Sequence, residues 1–360
     1  MTIGTAHAGA TIAESERVCE CCRGCHAFAL VGRGGDDSVG EDDRNEALQM
    51  LAWTMAPEAP GRLTLQEMPE PAPLPHEALV RVEAFAPNPG DIAALADMPR
   101  GRIPGWDGSG VVLEPAADGR GPQRGERVVF LGLAAAGWAQ RRAVPHAMTA
   151  AAPRDAPWDR LAALPVPATS ALRAVRRLGS IVGRRVLIVG GTSAVGRFAI
   201  QLAARSGASV VAVARDEGQH AALHALGASE THASLTTVSR PVHGAIDVLG
   251  GQHLVVAYSL LEQGGMVIAL GHAAGADEHF PFGAFVADPS TSDRAITSFF
   301  LGTEPNLDVE MAYLAADRSL DVGNIDLRSW TSLAAWVAAG AERPSGRRIV
   351  FRVDHDDAAG

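Results

Sequence analysis

The run Gly190-Gly191-Thr192-Ser193-Ala194-Val195-Gly196 lies between the apolar segment Val186–Val189 and the helical pattern "RFAIQLAARSG". Small residues there let the chain turn tightly, let its backbone approach a pyrophosphate, and aim a helix N-terminus at the negative charge. The spacing is Gly-x-x-Ser-x-x-Gly, so a serine replaces the middle glycine of the usual dinucleotide fingerprint. The strand that follows, "SVVAVA", runs into Arg215, with Asp216 one step later. A carboxylate at this place accepts ribose hydroxyls, whereas an arginine forks onto a 2′-phosphate. The order predicts NADPH as the cofactor, held by Gly190, Thr192, Ser193, Ala194, Val195, Gly196 and Arg215. Gly271, after "MVIAL", is expected at the carboxyl end of a sheet strand, on the ligand side, with His272 as an exposed neighbour.

A second cluster holds every cysteine of the chain: Cys19, Cys21, Cys22 and Cys25, with His26 directly behind. Structural zinc takes four such thiolates in a tetrahedron. A C-x-C-C-x2-C run, however, sets two of them side by side and is cramped for one ion. The reading is an incidental, sulfur-rich stretch of an N-terminal extension over 1–47, disordered apart from a short helix near 11–24 opened by Thr11 and Glu14. No metal site is expected in the chain.

The positioning elements follow from length and pattern. The 360 residues suffice for two domains with sizeable cores, and 47% hydrophobic with 20% charged residues is ordinary for a globular chain. The formal net charge is −10, and arginine carries all the fixed positive charge, because there is no lysine. That balance argues against nucleic acid or an anionic membrane as partner. No segment reaches the roughly 18–20 apolar residues of a membrane span, and the N-terminus does not read as a secretory signal. With no cysteine beyond Cys25, a disulfide is excluded from the rest of the chain, which fits the cytoplasm.

From about 48 to 150, alternating runs such as "ALVRVEAFAP" predict short strands with close turns. The segment 184–215 then reads as a βαβ unit, and alternation of strands and helices continues to about 300, implying a parallel sheet. A final strand is expected in "GRRIVFRVD".

Several segments together resemble the medium-chain dehydrogenase/reductase superfamily, in its zinc-free quinone oxidoreductase-like branch. They include "FAPNPGDIAAL", "RIPGWDGSGVV", "GWAQRRAVP", "LAALPVPATSALRAV", the glycine turn, "LHALGASE", "GGMVIALG" and "SGRRIVF". The resemblance implies an α/β fold of two parts. A GroES-like, mostly β catalytic domain would cover 48–165 and be completed by 301–356. A doubly wound Rossmann domain would occupy 166–300. It also implies a homodimer acting on a small-molecule substrate.

The zinc-dependent branch places cysteine and His-Glu ligands where this chain has "PNPGD" and "PGWDGSG", so the reaction is expected to proceed without zinc. The resemblance puts Asn88 and Asp91 at the cleft between the two domains and Ser170 where relatives carry a threonine that touches the cofactor. A helix N-cap explains Ser170 equally well. Asp107 is expected to brace the fold. With Ile92-Ala93 after Asp91, a tyrosine proton donor is not expected, which leaves water, a ribose hydroxyl, or an amide such as Asn88 or Gln140. The activity implied is hydride transfer to a quinone or an α,β-unsaturated carbonyl. An alcohol/ketone dehydrogenase of a biosynthetic pathway and a non-catalytic NADPH-binding sensor or scaffold are the alternatives.

Overall fold

The structure is a computed structural model that describes residues 48–355 apart from 133, 135, 287, 304, 344 and 345. The cysteine cluster and the helix expected over 11–24 lie outside the described residues.

The first half of the described chain is a run of strands. β1 (Gln49–Met55) and β2 (Leu63–Pro69) form a hairpin, followed by β3 (Glu77–Phe85), α1 (Pro89–Ala94), β4 (Asp107–Glu114) and β5 (Arg127–Leu131). β6 (Arg141–Pro145), β7 (Thr149–Ala151), α2 (Trp158–Ala162) and α3 (Pro165–Arg177) complete it. Both prolines of α3, Pro165 and Pro167, sit in its first turn, where a missing N–H costs nothing.

The second half alternates. β8 (Arg185–Val189), α4 (Ala194–Arg205), β9 (Ser209–Val213), α5 (His220–Ala225) and β10 (Ala228–His232) come first. They are followed by β11 (Val242–Asp247), α6 (Gln252–Ser259), β12 (Leu261–Ala269) and β13 (Ala295–Thr297). The chain closes with α7 (Leu307–Ala316), β14 (Asn324–Ser329), α8 (Leu333–Ala338) and β15 (Arg347–Arg352).

Two large sheets result, and the fold is α/β as expected. One is all parallel, in the order β10-β9-β8-β11-β12-β13. Its strands are apolar on both faces because each face has its own core. Val186, Ile188, Val210 and Ala212 pack into one, and Leu187, Val189, Val211 and Val213 into the other. The other sheet runs β14-β15-β3-β4-β5-β7, with β6 also paired to β3. Here β15 returns from the far end of the sequence to pair antiparallel with β3 at Phe85 and Ala84. A third core of Phe85, Phe130, Trp138 and Phe351 fills this sheet, with Phe85 stacked between Trp138 and Phe351 at 5.8 and 5.6 Å.

Strand order reverses at β8, with β9 on one side and β11 on the other. Such a switch point opens a crevice at the carboxyl ends of the strands. The glycine turn stands there.

Candidate active site

The turn is shaped by what a side chain would strike. Gly190 has φ +83°, and a Cβ on it would lie 2.6 Å from Val248 Cγ2, in the loop after β11. A Cβ on Gly196 would lie 2.3 Å from Gly190 O, so only glycine lets α4 start this close to the strand end. Ser193 is the N-cap of α4. Its Oγ accepts from Gly196 N at 3.0 Å and donates to Gly190 O at 2.8 Å. The serine in the glycine fingerprint therefore closes the turn on itself. Thr192, Ala194 and Val195 remain half-buried at the open end of the helix, whose first amides have no intrahelical acceptor. The turn fits a dinucleotide pyrophosphate by its lack of Cβ atoms and by those amides.

Around it, Arg215 stands exposed two residues past β9. The Asp216 carboxylate is engaged locally, accepting from Gly218 N at 3.0 Å to cap the next turn. Asp247, the last residue of β11, is fully buried and accepts from Leu249 N and Gly250 N at 3.1 and 2.9 Å. Burial pushes its carboxyl above the ordinary range, against the pull of those amides. Gly271 closes against the same loop, where a Cβ would lie 2.8 Å from Val248 O. His272 faces Glu278 at 3.1 Å, and Glu278 also accepts from Gly251 N at 2.9 Å, clasping the loops after β11 and β12.

Ser170 is the sixth residue of α3, half-buried, so the N-cap alternative falls: the helix already begins at Pro165. Its neighbour Thr169 is completely buried, with Oγ1 unpartnered.

The Asn88–Asp91 segment forms the start of α1, and Asn88 and Asp91 within it are buried, at 4% and 2% exposure. Asn88 is the N-cap in a reciprocal capping box: its backbone N–H donates to Asp91 Oδ2 at 2.7 Å. Its Nδ2 donates to Asp91 Oδ2 at 3.0 Å and to Asp107 Oδ1 at 2.9 Å, while its Oδ1 accepts from Arg348 Nη2 at 2.9 Å. Two carboxylates on one side and a guanidinium on the other leave the amide a single orientation.

Asp107 Oδ2 accepts from Val166 N, in the first turn of α3, at 3.0 Å. Arg142 lies close by, donating to Trp106 O at 2.8 Å and to Gly132 O. Burial first, then the charge of Asp107, raises the Asp91 carboxyl above its ordinary range; the Asn88 hydrogen bonds and Arg348 pull the other way. Burial likewise raises Asp107 and pushes Arg142 down to about 10. Asp91 Oδ1 has no hydrogen-bond partner among the described residues.

This arrangement corrects one of the two expected amide donors. Every polar atom of the Asn88 carboxamide is engaged, so it has no N–H to spare for a substrate oxygen. Gln140 is only partly committed: Oε1 accepts from Leu51 N and Nε2 donates one N–H to Asp354 O, both at 2.9 Å, which leaves its second N–H available. Arg348 is the residue that sequence reasoning missed. In "GRRIVF" either arginine reads as a strand-end cation, but Arg347 faces solvent and Arg348 is buried at 6% exposure. Strand alternation signals that the two face opposite ways, not which of them meets a cluster of acids. Among the described residues, no group of three or more His, Cys, Asp and Glu is arranged to hold a metal ion. No described helix is long and apolar enough to cross a membrane.

Residues 74–154 match the alcohol dehydrogenase GroES-like domain. The whole structure is similar to the quinone oxidoreductase from Coxiella burnetii, with a TM-score of 0.70 at 23% identity, over 85% of this chain and 100% of that one. The likeness is one of fold, a GroES-like half joined to a parallel-sheet half. Two further relatives are similar in sequence. The spectinabilin polyketide synthase system protein NorB of Streptomyces orinoci is 32% identical over 235 residues, 61% of this chain and 11% of that protein. The 2-methylene-furan-3-one reductase of Solanum lycopersicum is 30% identical over 172 residues, 42% of this chain and 43% of the enzyme. The chain thus spans less than half the length of either. Within this fold, the glycine turn lies in the parallel-sheet half and the Asn88 network begins in the GroES-like half.

Proposed function

We propose that the chain is a zinc-independent, NADPH-dependent reductase of quinones or α,β-unsaturated carbonyl compounds. The observation that carries this reading is the glycine turn at the strand-order switch, with Arg215 free at the end of β9 and the competing Asp216 carboxylate turned onto its own backbone. The likeness to a quinone oxidoreductase and to an enone-type reductase supports the acceptor class.

NADPH, when bound, supplies a hydride. The residues of this chain bind and orient. Gly190, Thr192, Ser193, Ala194, Val195 and Gly196 would cradle the pyrophosphate, Arg215 would fork onto the 2′-phosphate, and Ser170 and Gly271 would flank the cofactor. Asn88 and Asp91 would shape the substrate side of the cleft. Since both N–H groups of the Asn88 amide are engaged, the proton that follows the hydride would come from water or a ribose hydroxyl. Catalysis rests on proximity and orientation. The enzyme is read as a cytoplasmic homodimer.

The test is direct. Purified protein is mixed with NADPH and a panel of quinones and enones, and the nicotinamide absorbance is followed. Consumption with at least one acceptor, faster with NADPH than with NADH, is the expected result. Absence of turnover with every acceptor would sink the reading, and turnover with alcohols and NADP+ alone would replace it with an alcohol/ketone dehydrogenase.

A further inference from the structure

A buried guanidinium is ordinarily matched by a carboxylate at hydrogen-bond distance. Arg348, at the second position of β15, is matched indirectly. Its Nη2 donates to Ala86 O and to Asn88 Oδ1, each at 2.9 Å, and its Nη1 to Pro87 O at 3.2 Å. Two buried acids lie one step away, across the neutral Asn88 amide. An amide suits that place because its oxygen can face a cation while its two N–H groups face two carboxylates. From Asp107 the chain of contacts continues to Val166 N, and α3 packs on α4, the helix that starts at the glycine turn.

We propose that Arg348 is a positioning residue for the reducing site: it holds the Asn88 carboxamide between Asp91 and Asp107 and so sets α1 against the first turn of α3. The claim about the reaction rests on the reductase reading above; the claim about the clasp does not. The charged groups facing the two acids are Arg348 from β15, Arg142 from β6 and Arg343 from the segment before β15, with Glu77 of β3 acting on Arg142. Burial holds both acids above the ordinary aspartate range, with the charge of Asp107 adding to it at Asp91, and Arg348 draws both back. The folded chain therefore binds more protons than the unfolded chain between the ordinary aspartate range and the raised one. Stability accordingly falls as pH rises through that window. Loss of Arg348 makes the fall steeper and carries it to higher pH.

The experiment uses the full chain as wild type, Arg348→Met and Arg348→Lys. It measures Tm without cofactor from about pH 5 to about pH 8, NADPH affinity by nicotinamide fluorescence, and kcat and KM. For Arg348→Met, the expected result is a Tm that drops more steeply with pH than the wild type's. Its kcat should fall about tenfold or more, one step of 1.4 kcal/mol, with NADPH affinity within about twofold. Arg348→Lys keeps the charge without the fork, so it should restore the wild-type pH slope but not kcat. An Arg348→Met protein with a uniformly lower Tm, an unchanged pH slope and wild-type kcat would overturn the proposal and leave a packing residue. If Arg348→Met does not fold, Arg348→Lys decides: wild-type kcat overturns the proposal and reduced kcat supports it. A wild type that binds NADPH but reduces no acceptor sinks the reductase reading alone, and the pH slopes then decide the clasp.

Discussion

At the scale of single residues, the site is governed by what each atom already holds. Gly196 shows this most sharply. A Cβ there meets the Gly190 carbonyl oxygen at 2.3 Å, and backbone cannot step aside as a side-chain tip can. Gly196→Val should therefore weaken NADPH binding by about tenfold or more, one step of 1.4 kcal/mol, in a fluorescence titration. Arg215 is exposed, and under the proposed function it would choose between cofactors. A charge-assisted hydrogen bond contributes about 1.5–3 kcal/mol. Arg215→Glu should lower NADPH affinity by about 10- to 150-fold and leave NADH affinity unchanged or raised. Equal losses for both cofactors would remove Arg215 from the phosphate site.

The elements are set by their ends more than by their middles. α4 begins at Ser193, whose hydroxyl spans the turn between Gly190 O and Gly196 N. Ser193→Ala removes the cap and should cost about 0.5–2 kcal/mol by chemical denaturation, with a matching loosening of cofactor binding. α1 is held from outside. A Cβ on Gly90 would lie 2.3 Å from Trp106 Cη2 and 2.6 Å from Cζ3, so the indole sits against the helix where any other residue would push it away. Gly90→Ala should destabilise the protein by about 1–3 kcal/mol through overpacking. An unchanged denaturation midpoint would show that the indole swings away freely.

For the whole molecule, the parallel sheet ends at β13, a three-residue edge strand whose Ile296 is 36% exposed. An unpaired edge of this kind is a template for another strand. If the homodimer forms there by extending the sheet, light scattering should give twice the chain mass, and Ile296→Pro should convert it to monomer with the fold intact. A wild-type monomer across the concentration range would remove the dimer from the account.

Much of this architecture was legible in the chain. Apolar periodicity marked the βαβ unit of β8, α4 and β9. Small residues in order marked the turn, because a tight strand-to-helix turn makes local demands that adjacent residues satisfy. The N-cap alternative for Ser170 is the local exception: α3 already begins at Pro165, because two prolines fit its first turn, where the helix has no amide bond to lose.

What the tertiary structure decided was the partnership of Asn88, Asp91 and Asp107 with Arg348. Arg348 lies 260 positions from Asn88, and Asp107 lies 19 positions from it. Periodicity says which face of a strand is buried, but burial of a charge is tolerable only beside a particular partner, and chain folding alone brings that partner near. For the same reason the sequence could offer Asn88 as a proton donor, while the folded chain shows both of its N–H groups already engaged.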